Sequence, residues 1–95
     1  MKLPPSFEMT ATRSEFLRLL PAAVNHASFM EVGEAFVHRD GPRCWRIGFA
    51  ALPQLQLGLM RLERHRVDFN FEGYSAAEIA EFMERFELHF RRGGG

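Results

Sequence analysis

A single cysteine, Cys44, stands in the 95-residue chain. One thiol closes no intramolecular disulfide and supplies no Cys-based zinc set, so neither a disulfide framework nor a Cys-ligated metal centre is expected. Lysine is nearly missing too: Lys2 is the one lysine beside eleven arginines. Arg, Ala and Gly all have GC-rich codons, which points to a bacterial genome of high GC content. Charge of one sign is not in excess, with 12 basic and 12 acidic residues and a formal net charge of zero. Phosphates dominate nucleic-acid affinity and select for a basic excess, so DNA or RNA is not the expected partner. No apolar run approaches the roughly 18 residues of a membrane-spanning helix. Met1–Pro5 lacks the apolar core of a secretory signal, and a cytoplasmic location is the expectation. No glycine-rich phosphate loop is present, since Gly33, Gly41 and Gly48 are scattered. His26, His38, His65 and His89 show no metal-ligand spacing. Ser6, Ser14, Ser28 and Ser75 stand in no nucleophile-elbow context. No enzyme, metal or cofactor is therefore expected.

What the chain has in quantity is apolar surface: 46% hydrophobic residues and ten phenylalanines. That suffices for a core in one small domain over residues 1–95, with 1–5 and 93–95 read as flexible tails. Phe7 and Met9 alternate with Glu8 and Thr10, a candidate short N-terminal strand. Thr12 and Glu15 form a capping box, in which each side chain satisfies the other residue's free backbone N–H. The stripe Phe16, Leu17, Leu20 continues as a helix, and Pro21 predicts an end or kink at Leu20. Ala22–Val24 reads as one further turn. Asn25–Gly33 reads as a loop anchored by Phe29 and Val32.

From Glu34 the apolar period becomes two, the signature of strands. The expected strands are Glu34–His38, Arg43–Ala50, Leu55–Leu62 and Val67–Phe71. The turns between them are Arg39–Pro42, Ala51–Gln54 and Glu63–Arg66. Closing each turn on four residues sets Phe36 opposite Trp45, Trp45 opposite Met60, and Ile47 opposite Gly58. The third turn sets Met60 opposite Phe69, Leu62 opposite Val67, and Arg61 opposite Asp68. One face would then carry Phe36, Trp45, Ile47, Phe49, Met60, Leu62, Val67, Phe69 and Phe71, with Gly58 leaving room for a helix. A second capping box, Ser75 with Glu78, opens a helix over Ser75–Arg92. Its stripe is Ile79, Phe82, Met83, Phe86 and Phe90. Glu81 with Arg85 and Glu87 with Arg91 are i,i+4 pairs, and Gly93 is the expected left-handed cap. The expected fold is α+β: a four-stranded antiparallel meander, one helix before it and one long C-terminal helix, both on the aromatic face. A short N-terminal strand is a candidate addition to the sheet.

The functional expectation rests on the other face of the sheet. By this register it carries an apolar strip, Leu55, Leu57 and Leu59, beside a polar group of Arg46, Arg61, Asp68 and Asn70. Apolar patches rimmed by charge mark partner sites. The leading expectation is a small non-catalytic interaction module that binds itself as a homodimer, or an unknown protein, through these residues. The alternative is a small anionic ligand held by Arg46 and Arg61, because guanidinium forks match oxyanions. A third reading is a weak nucleic-acid contact through Arg64 and Arg66. The cluster Arg61, Arg64, His65 and Arg66 is read chiefly as a solvated turn paired with Glu63 and Asp68. Cys44 is read as a structural thiol, and His89 as a satisfied histidine on a helix face. The closing Arg91–Gly95 segment is similar, over those few residues alone, to the tails of ubiquitin-like modifiers and sulfur carriers. Their tails leave a β-grasp strand and this one leaves a helix, so no family is assigned.

Overall fold

The computed structural model describes residues 6–94, with side chains through Phe90. Met1–Pro5 and Gly95, read above as tails, lie outside the described residues. Seven elements follow one another: β1 (Phe7–Met9), α1 (Arg13–Ala23), β2 (Met30–Val32), β3 (Ala35–Asp40), β4 (Arg43–Leu57), β5 (Met60–Glu72) and α2 (Ala76–Gly94). The strands form one antiparallel sheet in the order β1-β5-β4-β3-β2. The α+β class and the extra N-terminal strand agree with the sequence reading. A fifth strand, β2, occupies part of the segment read as the loop Asn25–Gly33.

Both helices start where the capping boxes place them. The Glu15 carboxylate accepts from the Thr12 backbone N–H at 3.0 Å, and the Thr12 hydroxyl accepts from the Glu15 N–H at 3.1 Å. Ser75 and Glu78 repeat the exchange at 2.8 and 3.2 Å. Pro21 lies inside α1 rather than ending it. It withholds one N–H, but the helix bond from Val24 N–H to Leu20 C=O still forms at 3.0 Å. The chain then leaves α1 through two left-handed residues, Asn25 and His26, with φ of 56° and 60°. In α2 the helical backbone continues through Gly94, past the cap expected at Gly93. The Glu81–Arg85 pair does not form. Glu78 pairs instead with Arg43 at 2.7 Å, joining the first turn of α2 to the sheet. The Glu87–Arg91 pair lies outside the described side chains.

The central feature of the sheet is one long hairpin. β4 and β5 pair from Cys44↔Glu72 to Leu57↔Met60, with an irregularity in β4 between Leu52 and Leu55. The expected turn at Ala51–Gln54 is that bulge, which bends the strand without reversing it. The expected turn at Glu63–Arg66 is uninterrupted strand. The real reversal is Gly58-Leu59, where Gly58 takes φ +59°, the value the first position of a two-residue type II′ hairpin requires. The register is corrected accordingly: Trp45 faces Phe71, Ile47 faces Phe69, and Gly58 stands opposite no core residue. Leu62 faces Leu55, Arg61 faces Gln56, and Asp68 faces Gly48. The β3–β4 hairpin closes tightly on Gly41-Pro42, so Phe36 faces Ile47 and His38 faces Trp45. That slip from the expected pairing is two residues. It preserves parity, so the core residues keep their face.

Both helices cover the aromatic face. Phe16, Leu20, Phe36, Ile47, Val67 and Phe86 are fully buried there, joined by Trp45, Phe49 and Phe69. Phe16 of α1 stacks on Phe49 at 4.0 Å between ring centroids, and Phe86 of α2 meets Phe69 edge-on at 4.9 Å. Each such side chain contributes about 2–3 kcal/mol of transfer free energy. Ring geometry adds about 1 kcal/mol per well-placed pair.

Candidate functional site

The face away from the helices is set by alternation and pairing. Along β5 the even-numbered residues from Met60 to Glu72 point to it, since Val67 and Phe69 are buried on the other side. Pairing carries the assignment across the sheet. Asn70, Arg46, Val37 and Met30 form one row on this reverse face, and Asp68, Gly48, Ala35 and Val32 form the next. Arg66 and Ala50 continue toward β1, where they meet Glu8.

Beyond the last partners in β1 and β3 the long hairpin runs on alone. β1 pairs with β5 only as far as His65, and β3 pairs with β4 only as far as Gly48. Residues 51–64 therefore form a two-stranded ribbon that projects from the sheet. β4 has 15 residues, and at a rise of about 3.3 Å each they reach about 50 Å. The longest dimension of the protein is 47 Å.

On this ribbon the apolar pattern changes sides. In the body the odd-numbered residues of β5, Val67, Phe69 and Phe71, are apolar and face the helices, while Arg66, Asp68, Asn70 and Glu72 face away. In the ribbon Met60 and Leu62 are apolar and face away, while Arg61 and Glu63 lie on the helix side. The bulge shifts β4 by the same phase, so Leu55 and Leu57 stand beside Leu62 and Met60. Leu57 and Met60 are 55% and 60% exposed, and Leu59 at the tip is wholly exposed. Met30 and Val32, on the same face at the β2 edge, are also more than half exposed.

The residues read from sequence as one site are thus only partly together. Leu55 and Leu57 lie on the reverse face of the ribbon, and Leu59 is its turn. Arg46 and Asn70 are direct cross-strand neighbours, with Asp68 two residues away along β5. Arg61 is separated from them: it faces Gln56 far along the ribbon, on the opposite side of the sheet. An anion site made of Arg46 and Arg61 is not assembled. Met60 and Leu62, expected on the helix-covered face, lie instead on the reverse face, Met60 exposed and Leu62 half-buried. The signal that finds them is the change of phase itself, Met60 and Leu62 against Val67 and Phe69.

Electrostatics on this face are left open. Arg46, Arg66, Asp68 and Glu72 make no ion pair with another described residue. The Asp68 carboxylate lies across Gly48, where a Cβ would come within 2.3 Å of its Oδ1. Arg64 is engaged, donating to the Pro53 carbonyl at 3.2 Å and pairing with Glu8 at 3.5 Å. Those contacts fasten the base of the ribbon to β1. Cys44 lies in this face, buried and unpaired.

Elsewhere the polar groups have structural partners. His65, read as part of a solvated turn, is buried, stacks on Phe49 at 3.9 Å and donates from Nδ1 to the Ala11 carbonyl at 2.9 Å. His89 donates from Nδ1 to the Arg85 carbonyl at 2.9 Å. A shallow groove of about 270 Å³ lies between Asn25, Arg43, Tyr74, Glu78 and Arg85. There Arg43 is held by Glu78 and lies 5.4 Å over the Tyr74 ring. Burial pushes the Tyr74 phenol up from its ordinary value, keeping it protonated near neutrality. Among the described residues no group of three metal-ligating side chains comes together and no helix is long and apolar enough to cross a membrane. Comparison with protein-family models, with curated proteins and with solved structures gives no match.

Proposed function

We propose that the chain is a small non-catalytic interaction module that self-associates through the reverse face of its sheet, with the projecting ribbon as the main contact. The observation that carries this reading is the inversion of the apolar pattern. The sheet body turns its apolar side to its own helices, and the ribbon turns Leu55, Leu57, Met60 and Leu62 the other way. A two-stranded hairpin is at best marginally stable alone in water. Leaving large apolar side chains in solvent forgoes about 1–2 kcal/mol each. Both costs are relieved when a second surface covers the ribbon. The zero net charge of the chain also sets no long-range repulsion between copies.

Native mass spectrometry with sedimentation velocity tests the reading. The wild-type protein is expected as a dimer and Leu57→Asp as a folded monomer with an unchanged circular dichroism spectrum. A Leu57→Asp protein with the oligomeric mass of the wild type, or a wild type monomeric at tens of micromolar, would refute it.

A further inference from the structure

Resting on that reading, we infer that the second copy docks sheet to sheet about a two-fold axis parallel to the strands, with β4 of one copy over β5 of the other. Two features of the face fix this arrangement. The first is the ribbon. Leu55 and Leu57 lie on β4, and their cross-strand partners Leu62 and Met60 lie on β5 at the same levels. Rotation about an axis midway between the two strands exchanges β4 with β5. It lays Leu55 on Leu62 of the second copy and Leu57 on Met60 of the second copy, so apolar meets apolar along the outer part of the ribbon. An axis across the strands at mid-sheet would instead lay each ribbon on the charged body of the other copy, and one across the ribbon would leave both bodies uncovered.

The second feature is charge. On the body of the reverse face Arg46 stands on β4, while Asp68 and Glu72 stand on β5 on either side of its partner Asn70. The same rotation lays Arg46 over Asn70 of the second copy, with Glu72 and Asp68 of that copy on either side, while Arg66 lies over Ala50. Arg46, Asp68 and Glu72 find no ion pair within their own chain among the described residues. Each contact occurs twice, as an isologous interface demands. Gly48 and Ala50, next along β4 on this face, are small enough for two sheets to approach to about 10 Å with aligned strands. From strand rise and spacing, ribbon and body together offer on the order of 800 Å² per copy, the area a standard stable interface needs.

Reversing one charge at a time and then mixing tests the arrangement. Arg46→Glu and Glu72→Arg are both exposed substitutions, and each alone places like charges across both copies of the contact. Each is expected to weaken dimerisation at least about tenfold. In an equimolar mixture the heterodimer carries one native Arg46–Glu72 contact and one reversed contact. Its stability is expected to return to within about threefold of the wild type. Recovery on mixing also proves that both variants are folded, and no repulsion confined to one chain would be relieved by it. Two variants that dimerise as tightly as wild type, or that weaken and do not recover together, would overturn this arrangement and leave the ribbon reading to the Leu57→Asp result. A monomeric wild type would overturn both.

Discussion

Gly73 joins β5 to α2 at φ +77°, and a Cβ there would lie 2.4 Å from the Pro42 carbonyl oxygen. Strain and a backbone clash coincide, so Gly73→Ala is expected to cost about 2 kcal/mol. That corresponds to a fall of roughly 10 °C in Tm, read by thermal circular dichroism. Gly48→Ala makes an equally close contact on paper, but only with the far end of the Asp68 side chain, which can rotate away. Its cost is expected to stay under about 1 kcal/mol, and a larger loss would show that Asp68 is held in place. His65 was the residue hardest to read from the sequence. Flanked by Arg64 and Arg66 it looks solvated, yet strand alternation sends it inward onto Phe49. The neighbours along a strand describe the opposite face, not the residue between them.

At the scale of elements, the capping boxes make the helix starts sensitive to acid. The Thr12 backbone N–H, and then its hydroxyl, hold the Glu15 carboxyl below its ordinary value of 4.5. The Ser75 backbone N–H does the same for Glu78, aided by the Arg43 guanidinium. A carboxyl whose folded value is depressed contributes stability that is present above about 4.5 and lost as pH falls through the folded value. Tm is therefore expected to be flat from about pH 7 to 5 and to decline below that. In a Glu15→Gln/Glu78→Gln variant Tm should start lower and decline less. An unchanged acid slope in that variant would place the sensitivity elsewhere. Both helices were legible because caps and a 3.6-residue stripe are local signals. The strands around residues 51–66 were not. A reading that keeps one apolar face continuous must insert turns at Ala51–Gln54 and Glu63–Arg66 to bring Met60 and Leu62 back to the core. The structure instead lets the strands run on and the phase invert.

For the whole molecule, a ribbon that is covered only on association ties stability to concentration. Binding that favours the folded state raises apparent stability as the second copy becomes available. Tm of the wild type is expected to rise by a few degrees over a hundredfold increase in protein concentration, where linkage adds up to about 2.7 kcal/mol. Leu57→Asp should abolish that rise. A wild-type Tm independent of concentration, measured by calorimetry at both extremes, would argue against self-association as the use of this face.

The sequence by itself determined the α+β class, the antiparallel sheet, both helix starts and the aromatic core, because each follows from spacing within a dozen residues. It also placed Leu55 and Leu57 on the face away from the helices, although it set them in a separate strand. Only the tertiary structure decided that β4 and β5 are single long strands, that Arg46 and Arg61 lie far apart on opposite sides, and that Met60 and Leu62 join Leu55 and Leu57 on the reverse face. Those outcomes depend on which residues pair across the sheet. Pairing is a choice among registers nearly equal in local energy, settled by the packing of α1 and α2 on one side and by a bulge that moves the phase of a strand by one residue.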